Sequence, residues 1–100
     1  MHKRRSSIIT KRQACAPIFA ALGDETRLAL VIRLSGGSPR SISQLTEGSE
    51  LTRQAITKHL RVLESAKIVH AVRAGRESLF EYEPAALKQA KDYLELVSEQ

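Results

Sequence analysis

One cysteine, no tryptophan, only four phenylalanine and tyrosine residues and no uninterrupted run of 18 apolar residues set the first bounds on this chain of 100 residues. Cys15 has no partner for an internal disulfide, which fits a reducing compartment. No segment is long and apolar enough for a membrane span, and no hydrophobic stretch follows the basic N-terminus as a secretory signal requires. A cytoplasmic protein is expected. There is no glycine-rich phosphate loop, no nucleophile with a base at family spacing and no catalytic carboxylate pair, so no enzymatic chemistry can be assigned. No cofactor and no metal are expected. With 42% hydrophobic residues the length suffices for one modest core and no added sensor domain.

What the chain does have is positive charge in particular places. The net charge is +5, but residues 1–12 carry five cations and no acid, residues 52–78 carry six cations against Glu64 and Glu77, and residues 79–100 are net acidic at −3. Non-specific attraction to DNA follows a local basic face more than the total. The partition assigns residues 52–78 to nucleic acid and the last segment to protein contact. A solvated charged face is the plainer alternative on charge alone. The first twelve residues read as a basic, flexible tail, with a single domain over residues 13–100.

Periodicity then gives the basic region a shape. Over residues 52–66, Ile56, Leu60, Leu63 and Ala66 recur at the spacing of one buried helical stripe. The remaining face carries Arg53, Gln54, Thr57, Lys58 and Arg61, side chains able to reach phosphates or base edges. A short helix over about Ser43–Glu47 precedes it across Gly48-Ser49-Glu50, which predicts a helix-turn-helix. Ile68, His70 and Val72, then Leu79 and Glu81, flank Ala74-Gly75-Arg76-Glu77, a hairpin pattern with a basic tip. Together these predict a winged helix: mainly α, about five helices and a two-stranded wing.

The other helices follow from punctuation. Residues 14–22 read as a short apolar helix with Pro17 in its first turn. Asp24 is placed to cap a helix over Glu25–Leu34, almost wholly apolar apart from Arg27 and Arg33 and so expected at the centre of the core, ended by Gly36-Gly37-Ser38-Pro39. A last helix from about Pro84 shows Leu87, Ala90, Leu94 and Val97 on one side. That stripe either packs on its own domain or meets a second copy. Cys15, between Ala14 and Ala16, reads as a small core residue, with a redox or metal switch as the sharper alternative.

Within the DNA-facing set, Thr52 and the first-turn amides suit a phosphate at the helix N-terminus. Arg53 and Gln54 suit base edges, guanine and adenine respectively. Thr57, Lys58 and Arg61 suit phosphates, and Arg73 and Arg76 a minor groove or a phosphate at the wing. His59 is ambiguous, a hydrogen-bonded link to a neighbouring element or a phosphate being favoured over any metal role.

The segments Phe19-Ala20-Ala21-Leu22-Gly23-Asp24-Glu25-Thr26-Arg27, Ser43-Gln44-Leu45, Gln54 through Glu64 and Gly75-Arg76-Glu77, in this order, resemble the ArsR-type (ArsR/SmtB-like) winged helix-turn-helix transcriptional repressors over about residues 14–97. The resemblance implies a homodimer paired through terminal helices, with Ile18, Phe19, Leu87, Ala90, Leu94 and Val97 as interface candidates, and two reading helices about 34 Å apart on an inverted-repeat operator in double-stranded DNA. Members that sense metals use a cysteine pair where this chain has Ser41 and Ser43, and a hydroxyl supplies no thiolate for a soft metal. This chain therefore resembles a subgroup without the metal motifs. Lys67 stands where many members have glycine at the end of the reading helix. A repressor is the expected function, with no inducer identifiable; a winged-helix protein-interaction module and a non-specific nucleic-acid binder are the competing readings.

Overall fold

The computed structural model describes the backbone from His2 to Gln100 and side chains from Ser7. Five helices, α1 (His2–Leu22), α2 (Glu25–Ser35), α3 (Ile42–Thr46), α4 (Arg53–Ser65) and α5 (Pro84–Ser98), alternate with three short strands, β1 (Arg40–Ser41), β2 (Val69–Ala74) and β3 (Glu77–Tyr82). The strands form one antiparallel sheet in the order β1-β3-β2. The expected two-stranded wing thus has a third strand. Its two residues are too few to leave an alternating pattern in the sequence.

Side chains from every helix and from the sheet meet in one core, in which Leu34, Leu45, Ile56, Leu60, Leu63, Ile68 and Val69 are the largest fully enclosed residues. Enclosing each such aliphatic side chain contributes about 1.5 to 3 kcal/mol. Ile56, Leu60 and Leu63 are the stripe predicted for the reading helix, so the periodicity translates directly into packing. The wing closes through a two-residue loop between paired Ala74 and Glu77, with Gly75 at φ 64° in the first loop position, where a side chain would be strained.

Helix ends are set by particular side chains. Asp24 accepts the Arg27 N–H and caps α2. Ser41 caps α3 through a reciprocal arrangement in which its hydroxyl accepts from the Gln44 N–H while the Gln44 amide oxygen accepts from the Ser41 N–H. Thr52 caps α4 by accepting from the Ala55 N–H. The other end of α4 is a Schellman closure: Lys67 N–H donates to the Glu64 carbonyl at 2.9 Å and Ile68 N–H to that of Leu63 at 3.0 Å. Lys67 makes this closure at φ 61°, the only non-glycine residue with positive φ among those described. Lys67 therefore ends the helix normally, in a backbone conformation suited to the glycine that many members of the resembled family have there.

Three expectations need correction. α1 does not begin at residue 14 but continues back to His2, which puts Pro17 in its interior, where its ring removes one backbone hydrogen bond. The backbone of residues 2–12, read as a flexible tail, is thus helical; the side chains of residues 1–6 lie outside the described residues. The helix over Glu25–Ser35 is not enclosed on all sides, because Leu28 and Ile32 are exposed while Leu30, Val31 and Leu34 face the core. Ile18 and Ala90, expected between two copies, are 3% and 4% exposed inside the chain's own core, where α1 packs on α5.

Candidate nucleic-acid interface

The DNA-facing side of α4 is built by what its other side must bury. Once Ile56, Leu60 and Leu63 face the core, Gln54, Lys58 and Arg61 are carried to the solvent and Thr57 to the edge. Thr57 donates its hydroxyl to the Arg53 carbonyl at 2.7 Å. Arg61 pairs with Glu64 at 3.2 Å along the helix surface, an exposed contact that contributes at most about 1 kcal/mol and leaves the guanidinium accessible. Gln54 and Lys58 make no side-chain hydrogen bond within the described residues. Arg73 and Arg76 stand exposed on the wing.

Arg53 and His59 each make a contact to another helix. Arg53 does not project freely, since its guanidinium donates to the Ser43 hydroxyl of α3 at 3.0 Å. Arg53, Arg76, Ser41, Ser43 and Ser78 line a shallow depression of about 270 Å³ between α3, α4 and the wing. His59 follows Lys58 by one residue, about 100° around the helix, and so leaves the DNA-facing side. Its Nδ1 lies 3.2 Å from an Arg27 guanidinium nitrogen and 3.8 Å from an Asp24 carboxylate oxygen. Accepting from Arg27 requires the tautomer with its proton on Nε2. The link to a neighbouring element was one of the two readings open for His59, and it is the one the structure makes.

Two arginines on α2 that carried no assigned role hold the helix-turn-helix in place. Arg27 donates through Nε to the Ala21 carbonyl at the end of α1, and Arg33 donates to the carbonyls of Leu45 at 2.8 Å and Gln44 at 3.1 Å, near the end of α3. Cations at helix C-termini complement the unpaired carbonyls and the negative end of the helix dipole. The sequence signal was only that two cations interrupt an otherwise apolar helix. The Asp24 carboxyl is held below its ordinary value of 3.8, chiefly because it accepts the Arg27 backbone N–H, against an opposing effect of desolvation and with the Arg27 charge adding to it.

The serines at the metal-ligand positions are both engaged, Ser41 in the α3 cap and Ser43 with Arg53. No three of His, Cys, Asp and Glu converge as metal ligands among the described residues. Cys15 is enclosed, its thiol directed at the Gln89 carbonyl at 3.5 Å. No helix among the described residues is long and apolar enough to cross a membrane.

A family model described as a helix-turn-helix domain matches residues 22–72, half of the chain, and spans α2 through the first wing strand. The solved structure of an ArsR-like transcriptional regulator from Rhodococcus sp. RHA1 is similar over 91% of this chain and 83% of that one, with a TM-score of 0.83 and 34% sequence identity. The chain belongs to the ArsR family of helix-turn-helix transcriptional regulators. Among curated proteins, the HTH-type transcriptional regulator Rv2034 of Mycobacterium tuberculosis is 35% identical over 69 residues, covering 69% of this chain and 64% of that protein, so the match spans slightly less than two thirds of the relative. A further solved structure, a homodimeric winged helix-turn-helix DNA-binding domain from Mycobacterium bovis, shares the fold at 19% identity, with a TM-score of 0.67 over 96% of this chain and 85% of that one. Helix-turn-helix architecture is what this ArsR-family chain shares with relatives named as transcriptional regulators.

Proposed function

We propose that residues 13–100 form one DNA-binding and pairing domain and that the protein is a homodimeric repressor, occupying an inverted-repeat operator and blocking polymerase by occupancy. The observation that carries this reading is the two-sidedness of α4, with its apolar stripe enclosed and Gln54, Lys58 and Arg61 presented together on the outside. In the first turn Gln54 takes the base-reading role, its amide suited to adenine. Arg53 and Arg76, gathered with Ser43 and Ser78, suit a backbone phosphate, as does Thr52 at the helix N-terminus. Lys58, Thr57 and Arg61 follow the backbone further along, and Arg73 extends the wing contact. His59 supports the helix from within and touches no DNA.

Pairing involves the surface that the chain's own core leaves uncovered. Leu94 and Val97 on α5 are 51% and 49% exposed, and Ile9 on α1 is exposed as well. Phe19 and Leu87 lie at the margin of the core, Phe19 against Tyr93 with ring centroids 6.2 Å apart, and so contribute at most partly. The homodimeric Mycobacterium bovis relative supports pairing by analogy of fold.

Selection from a pool of random duplexes, followed by competition with bulk DNA, tests the reading. The expected product is a palindrome whose half-site centres lie about 10 base pairs apart, resistant to bulk competitor. Recovery of no common sequence would identify a non-specific binder instead.

A further inference from the structure

A groove lies away from the DNA-facing side. It encloses about 690 Å³ between α1, the C-terminal end of α4 and the first half of α5, a volume typical of sites for small organic ligands. Ala14 and Pro17 of α1, Ala66 beyond α4 and Ala85 of α5 give it an apolar lining of short side chains, with enclosed Ile18 and Ala86 beneath.

The charges along the groove are unequal in their freedom. Lys88 is paired with Asp92 at 3.2 Å, and Glu83 accepts the Ala85 N–H and lies 3.6 Å from His70. Lys67 is in no ion pair among the described residues. Lys67 thus offers an ammonium in no ion pair beside an apolar trough, while Glu83, the other lining charge outside a lysine pair, is held by the Ala85 N–H.

We propose that this groove binds a small organic monoanion, an apolar body bearing a single carboxylate that meets Lys67. Ser65, Ala66 and Lys67 close the reading helix, while α1 and α5 carry the exposed apolar residues assigned to pairing, so an occupant touches both. Its effect on operator affinity rests on the proposed function; its binding does not.

The test uses the full chain and two probes of one shape, 1-naphthaleneacetate and its neutral amide, titrated against backbone amide NMR signals. Saturable shifts centred on Ala14, Ala66 and Gln89 are expected with the acid. Lys67→Gln, which keeps the backbone conformation and removes the charge, should weaken the acid roughly three- to tenfold and leave the amide unchanged. Ala14→Leu, a change at an exposed helical site, should weaken both probes without altering the sedimentation coefficient. Absence of saturation at millimolar acid, or indifference of the acid to both variants, overturns the proposal. A changed oligomeric state in Ala14→Leu also overturns it and assigns the groove to a second copy. Operator binding measured on the same samples separates this inference from the DNA reading, since intact operator affinity with no ligand shifts sinks this one alone.

Discussion

Replacing Lys67 with glycine should stabilise the protein. The residue sits at φ 61° with both Schellman hydrogen bonds made, so the native state already holds the geometry that glycine prefers and nothing has to move. An L-residue in the left-handed region costs about 1 to 2 kcal/mol through the clash of Cβ with the neighbouring carbonyl. Glycine escapes that cost but loses about 0.5 to 1 kcal/mol through greater freedom in the unfolded chain. The net gain is about 0 to 1.5 kcal/mol, which for a domain of this size raises the melting temperature by up to roughly 12 °C. Lys67→Ala is the control, because it removes the charge and stem but keeps Cβ, and should stay within about 0.5 kcal/mol of the parent. Thermal and urea unfolding at equal protein concentration, since the proposed pairing would make stability depend on concentration, gives the comparison. If Lys67→Gly is no more stable than Lys67→Ala, strain at this position is not what the backbone angle suggests.

Other outcomes follow from the interface. Gln54→Ala should cost about 1 to 3 kcal/mol in operator binding and relax preference at one base position per half-site, whereas Lys58→Ala should weaken all sequences and lower the salt slope by about one per protomer; binding titrations on operator and scrambled duplexes at several salt concentrations read both. Leu94→Asp, at a site exposed in the single chain, should leave the fold intact but cost pairing several kcal/mol if that side chain is enclosed between copies. Sedimentation showing a full dimer would place pairing elsewhere. The lowered pKa of Asp24 means that its contribution is present above its unfolded value and lost as pH falls through the lower folded value. Asp24→Asn should therefore show a shallower fall in melting temperature than the parent below about pH 4, and equal slopes would remove the capping carboxylate from acid unfolding.

Amphipathic periodicity made α4 and the wing legible because both bury one face and expose the other, and the stripe Ile56, Leu60, Leu63 needed no tertiary knowledge. The same logic failed for α1 and α5. There the stripe divides, Ala90 going to the chain's own core and Leu94 to solvent, because hydrophobicity alone does not say whether an apolar face meets its own domain or another. The contacts of Arg53 and His59 were out of reach of the sequence for a second reason. Their partners, Ser43 and the pair Arg27 and Asp24, are 10 to 35 positions away in sequence, and no local pattern encodes that proximity. The strand β1 and the backward reach of α1 left no amphipathic signal, α1 beginning in a run of cations.

The ties made by Arg33 and Arg53 bear on how such a regulator can be switched. Arg33 fastens the end of α3 to α2, Arg53 fastens α3 to the start of α4, and His59 returns α4 to the N-terminus of α2. These three fastenings close a loop of helices with little slack, so the reading helix cannot tilt alone without breaking charged contacts. In a paired molecule the adjustable quantity is then the gap between two stiff reading heads. A change of one or two ångströms where α1 and α5 meet a second copy would act as the jaw setting of a caliper, putting both heads out of step with successive turns of the duplex while each kept its own shape.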